Sequence, residues 1–197
     1  MILKLNNEDG FTLAETLMTV LIMLLVSSVI AAGIPAAAKA YRKAVDAANA
    51  QVLLSTAVNA IRSELSTAWG VAENNGEITY YSTKTGSKTG LFNDSANHTI
   101  KIQDYLNYGV QKDPSNDDSA PVAASNLVSD QARTNQYNQQ YQLAFTLGET
   151  SVTDNTVTFA DITVKDSSGG HVIASSGPLT IRLLKKDFKI PEIITGS

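Results

Sequence analysis

The sequence predicts an α+β chain: one long N-terminal helix, apolar in its first half and amphipathic in its second, packed on an antiparallel β-sheet. Three observations predict it. Residues 16–38 are 23 consecutive uncharged positions, mostly Leu, Ile, Val, Met and Ala. Residues 39–69 then carry apolar side chains three or four apart, with no Gly or Pro among them. After Gly70 the composition shifts to Thr, Ser, Asn and Gly, and short alternating runs appear.

Residues 1–10 form a short polar leader, and residues 11–38 form the apolar segment. At about 1.5 Å per residue, 16–38 would span roughly 34 Å as a helix, against about 30 Å for a bilayer's hydrocarbon core. That length reads as a membrane span. Gly33 and Pro35 weaken it locally, because Pro removes a backbone donor and crowds the preceding turn. Residues 39–69 continue the helix. Tyr41, Val45, Ala48, Val52, Val58, Ile61, Leu65 and Ala68 define the expected buried stripe, with Ser55 on it. Arg42, Lys43, Asp46, Arg62 and Glu64 fall largely off it, and Gly70 is the expected stop.

Residues 70–197 read as a β-rich domain. Candidate strands are Ile78–Thr83, Thr99–Gln103, Tyr141–Leu147, Thr156–Lys165, His171–Ala174 and Leu179–Leu184. Gly-Glu-Thr-Ser, Ser-Ser-Gly-Gly and Ser-Gly-Pro turns separate the last four, giving an antiparallel meander. Val157 and Phe159 alternate on one face, then Ile162 and Val164, so a bulge is expected near Ala160 and Asp161. The polar stretch Asp113–Gln140 reads as a long surface loop.

Composition removes several function classes. There is no Cys, which excludes disulfides, thiolate metal sites, a Cys nucleophile and a lipidated Cys. Net charge is −4, and from Gly70 onward ten Lys/Arg face fourteen Asp/Glu. A general nucleic-acid footprint is therefore absent, although a local basic patch is not excluded. No cofactor motif and no catalytic constellation stand out.

The informative stretch is Gly10-Phe11-Thr12-Leu13-Ala14-Glu15-Thr16-Leu17. One acid sits inside an otherwise apolar helix, five positions after the Gly that ends the leader. A charge at a bilayer centre costs about 2.5–3.5 kcal/mol on insertion scales. Two physical readings stand side by side. Glu15 either has a partner, or lies near the membrane face and the helix N-terminus, where snorkelling and the helix dipole reduce the cost.

These residues resemble the class III signal of type IV prepilins and pseudopilins. The resemblance covers about residues 8–38 in detail and the whole chain in plan. It implies a pilin-like fold and a structural subunit, not an enzyme, of a type IV pilus or type II secretion-like filament. It implies cleavage after Gly10 by a membrane prepilin peptidase on the cytoplasmic face and N-methylation of the new terminus, Phe11. Glu15 would pair with a neighbouring subunit's terminal amine during assembly. Implied partners are sister subunits, the peptidase, a membrane-embedded assembly platform and lipid. The implied location is the cell membrane, single-pass with the C-terminal domain outside, and then a surface filament. Around Gly33 and Pro35, the family implies a segment that can melt in the filament.

The chain departs from the family at several positions. Ala14 and Thr16 replace bulkier aliphatics, Pro35 falls later than the usual Pro, and the leader has only Lys4 against Glu8 and Asp9. Lys39, Arg42 and Lys43 follow the span, opposite to the usual positive-inside bias. The C-terminal disulfide loop of many Gram-negative pilins cannot form.

Lesser features have plainer readings. Asp113, Ser115 and Asp117 match positions one, three and five of a calcium loop, but Asp118 and Ala124 stand where Gly and Glu are needed, so a solvated acidic loop is expected. His98 and His171 are expected at the surface or an edge. Asn93 and Asn97 open two glycosylation sequons. Arg182, Lys185, Lys186 and Lys189 read as edge-strand protection. A rival for the whole chain is a secreted or membrane-anchored binding domain with an ordinary signal peptide, cut after Ala36-Ala37-Ala38. A membrane-anchored enzyme is the third reading.

Overall fold

The computed structural model describes residues 12–105, 121–153 and 156–183. A helix, α1, runs over Leu13–Leu65, and the chain divides into two compact units between Val45 and Asp46. The architecture is α+β, with a long helix followed by antiparallel β-sheets.

In the first unit every described residue up to Ala44 is exposed. An 18-residue window of α1 reaches a mean hydropathy of 2.6 with none of it buried. The helix is therefore long and apolar enough to cross a membrane. An exposed apolar surface this continuous is not compatible with bare solvent and needs a cover. Three hydroxyls along it bond to their own helix: Thr16 Oγ1 donates to the Leu13 carbonyl at 2.9 Å, and Thr19 Oγ1 to the Glu15 carbonyl at 2.8 Å. Ser28 Oγ donates to the Leu25 carbonyl at 2.7 Å. Pro35 lies inside the assigned helix.

In the second unit, Asp46–Leu65 supplies the helical face of one shared core. The residues that pack are Ala50, Leu53, Leu54, Ala57, Ile61 and Leu65. This corrects the expected stripe, which holds at Val58, Ile61, Leu65 and Ala68 but fails further upstream. Tyr41 and Val52 are 69% and 65% exposed, and Ala48 and Ser55 are also exposed. The physical reason is area and fit: adjacent Leu53 and Leu54 bury more apolar surface than Val52, and Ala50 and Ala57 let the helix approach closely. The helix also ends four residues before the expected Trp69. Ser66 and Thr67 form a turn, and Trp69 already starts a strand.

Nine strands follow among the described residues. β1 (Trp69–Asn74), β2 (Glu77–Tyr81), β3 (Lys88–Asp94), β4 (Thr99–Tyr105) and β5 (Pro121–Asn126) form a five-stranded antiparallel sheet in sequence order. Asn75 and Gly76 join β1 to β2, both with positive φ (52° and 81°), as a type I′ hairpin requires. Gly70, expected as a helix stop, has φ 58° where the β1–β2 register shifts, so it serves a bulge instead. β5 falls inside the stretch expected to be loop, a second correction.

β6 (Gln142–Thr153), β7 (Thr156–Lys165), β8 (Val172–Ser175) and β9 (Leu179–Arg182) form the second sheet. β8 and β9 do not pair with each other; both lie along β7, β8 on Thr163–Lys165 and β9 on Thr156–Phe159. The simple meander is thus corrected at its last strand. The expected bulge is present: Thr146 faces Asp161 and Leu147 faces Phe159, leaving Ala160 extra. Asp161 holds the crossing from β8 to β9, accepting from Ser175 Oγ at 2.7 Å and the Gly177 amide at 3.0 Å. The expected Gly-Glu-Thr-Ser turn is not one; β6 continues through it to Thr153, with its pairing interrupted between Leu147 and Val152.

Both sheets and the helix share the core, including Ile78, Leu91, Ile100, Leu143 and Val157. Phe145 meets Phe159 edge to face at 5.3 Å. With a core of its own, the outer unit has what independent folding requires. A fragment from Ala40 onward is expected to be soluble, monomeric and mixed helix and strand by circular dichroism. Aggregation under several conditions would show that this unit needs membrane or partner.

Candidate functional site

The residues that begin α1 form a compact polar start on an apolar helix. Thr12 precedes the helix and acts as its N-cap: the Glu15 amide donates to Thr12 Oγ1 at 3.3 Å and to the Thr12 carbonyl at 3.0 Å. Thr12-Leu13-Ala14-Glu15 therefore has capping-box spacing, with Glu15 three places into the helix, where the macrodipole favours an acid. Sequence reasoning placed Glu15 near a helix start but missed the cap, although Thr and Glu three apart are its signature.

Among the described residues the Glu15 carboxylate has no hydrogen-bond or ion-pair partner, and the nearest charge along the helix is Lys39, 24 residues on. Thr16, Thr19 and Ser28 bond to their own helix, so Glu15 is the one charged side chain of the described span and is left to seek a partner. What the site can do chemically is pair with a cation. Gly10 and Phe11, the other two expected site residues, lie outside the described residues. So do the Asp113–Asp118 stretch and Lys185, Lys186 and Lys189. Among the described residues no group of three His, Cys, Asp or Glu could hold a metal. His98, His171 and Arg182 are exposed.

At the other end of α1, two polar pins hold the helix to the outer unit. Tyr141 Oη donates to Asp46 Oδ1 at 3.1 Å, and Lys84 Nζ pairs with Glu64. Burial, reinforced by Asp46, raises the Tyr141 phenol above its ordinary pKa, so it remains the donor. The apolar stripe lies between these pins.

Sequence reasoning also missed the residues that join the two sheets. Asn93 Nδ2 donates to the Phe145 carbonyl at 2.7 Å, and Asn93 Oδ1 accepts from the Phe145 amide at 2.9 Å. One side chain thus pairs with the β6 edge as a strand would, and a glycan on this nitrogen would break that pairing. The Leu143 amide donates to the His98 carbonyl at 3.0 Å. Arg133, only 2% exposed, sends Nη1 to the carbonyls of Tyr141 (3.2 Å), His98 (3.4 Å) and Asn97 (3.5 Å), and Nη2 to Asp130.

Compared with known family models, curated proteins and solved structures, the chain matches none.

Proposed function

We propose that the chain is a pilin-like structural subunit of a type IV pilus or type II secretion-like filament. One observation carries the reading: a capped, unpaired carboxylate, Glu15, opens an uncharged and fully exposed apolar helix that leads into a β-rich domain. In this reading prepilin peptidase cuts after Gly10, Phe11 is methylated, and the subunit waits in the cell membrane as a single-pass protein with its domain outside. The assembly platform then moves it from lipid into a bundle of sister helices. Leaving lipid costs little, because the apolar surface exchanges lipid for protein, and polar pairs set the register. The chain needs no cofactor and performs no catalysis for this role. Against an ordinary signal peptide, α1 passes through Ala36–Lys39 without a break.

Gly10→Glu tests the processing site. The variant is expected to accumulate as an unprocessed, membrane-inserted precursor, seen as a slower band in the membrane fraction and missing from sheared filaments. Normal processing and incorporation of Gly10→Glu would remove this site assignment.

A further inference from the structure

Two concavities meet at the tip of the β3–β4 hairpin. One, of about 240 Å³, lies between that tip and the β6–β7 pair. The other, of about 320 Å³, lies between the tip, Arg133 and Ser167. His98 and Gln142 line both, so the two concavities adjoin and form the two ends of the candidate cleft.

We infer that this cleft binds a carboxylate-bearing sugar of hexuronate type. The inference goes beyond the subunit reading and stands or falls separately from it.

Charge is the first ground. Lys165 lines the cleft and makes no side-chain hydrogen bond or ion pair. Asp94 is the one acid in the lining, and it is already saturated. It accepts from Lys101 Nζ at 2.6 Å, Asn97 Nδ2 at 2.6 Å and the Ala96 amide at 2.9 Å. Among the described residues the cleft therefore keeps Lys165 as a cation without a partner, in a chain of net charge −4. A carboxylate is its natural complement, through a charge-assisted hydrogen bond.

Unmet polar groups are the second ground. Thr99 is 1% exposed and lines the cleft, yet its Oγ1 has no partner. Arg133 Nε is likewise buried and unpartnered at the other end. Buried polar atoms are normally satisfied, so such groups point to something missing. His98 adds a backbone constraint: its φ is 49°, and its carbonyl is held by Leu143 and Arg133. Strained residues held by their surroundings concentrate at binding sites.

The remaining lining decides between ligand classes. A peptide strand would need free backbone groups on the β6 edge. Those at Leu143 and Phe145 are taken by the His98 carbonyl and Asn93. What is left is side-chain chemistry: the Ser95 hydroxyl, and the acceptor oxygens of Thr163 and Gln142, whose donors already reach the Ala144 and Ser167 carbonyls at 3.5 Å and 3.3 Å. The first concavity is smaller than the roughly 300–1,000 Å³ of drug-sized pockets, which suits a single sugar residue.

The test uses the full chain in detergent micelles, titrated with D-glucuronate, D-glucose and acetate by saturation-transfer NMR. Glucuronate is expected to bind, with glucose and acetate each about tenfold weaker. Lys165→Gln should weaken glucuronate about tenfold and leave glucose unchanged, and Thr99→Val should weaken both sugars several-fold. Matching denaturation curves for the variants, read by Trp69 fluorescence, control for folding. Glucose binding as tightly as glucuronate, acetate binding as tightly as glucuronate, or an unchanged Lys165→Gln would each overturn the assignment.

Discussion

Glu15→Ala is expected to accumulate as a processed membrane monomer that enters filaments poorly, with incorporation falling by an order of magnitude or more. The expectation follows from where the charge sits. In the single chain the carboxylate is exposed at the third helical position, where the dipole favours it, so it is tolerable without a partner. Among packed helices water is scarce and an unpaired charge is costly, so an opposite charge becomes the natural neighbour. In the proposed reading, the Phe11 amine freed by processing would supply one near neutral pH. Such a pair can fix axial register, as buried polar groups do in coiled coils. Removing the charge also favours insertion, so loss of filaments cannot be blamed on loss of membrane entry. Because Thr12 caps through its own oxygen, Glu15→Ala also leaves that hydrogen bond to the helix intact. Glu15→Asp, with a shorter reach, should fall between Ala and wild type. Sheared and membrane fractions are compared, with processing checked in parallel; equal incorporation of Glu15→Ala and wild type would sink the pairing role.

Arg133→Ala is expected to destabilise the outer unit by about 3 kcal/mol, the largest stability effect of any polar substitution considered. The guanidinium is almost fully buried and serves three carbonyls from two separate segments, Asn97–His98 and Tyr141. Truncation strands those acceptors and opens a cavity. Asp130, its ionic partner, is 58% exposed at its side chain and can return to water, so the cost comes from the carbonyls rather than from a stranded charge. Arg133→Lys should recover less than half, because one ammonium cannot reproduce the planar fork. Trp69 is the single Trp and stacks on Tyr81 at 4.5 Å, which makes it a direct reporter of urea unfolding. Wild-type-like unfolding of Arg133→Ala would contradict the clamp.

These effects mark what the sequence could and could not disclose. Strong periodicity was readable: β7 has the expected bounds, and the bulge at Ala160 follows from the change of alternation between Phe159 and Ile162. The helix was readable in type, but its inner face was not. Val52 and Leu53 are equally acceptable to a 3.6-residue pattern, and only packing into the core shared with the sheets decides between them. β1 was hidden because the helical pattern runs on to Trp69 and Gly70 reads as its stop, although Asn75-Gly76 announces its hairpin. β5 was hidden in a run of small and polar residues, where pairing with β4 rather than hydrophobicity makes the strand. Of the candidate site, the lone charge at Glu15 was legible at once. Asn93 and Arg133 were not, because their partners are backbone groups about fifty and thirty-five residues away, and no local pattern encodes such pairs.

The mass of the mature N-terminus tests the central claim most directly. Protein is recovered from the surface or membrane of its own host, digested, and its N-terminal peptide read by mass spectrometry. The account predicts a peptide that begins at Phe11 and carries one added methyl group. A chain that begins at Lys39 would instead establish cleavage by an ordinary signal peptidase, and a chain that still begins at Met1 would show that Gly10 is not a processing site.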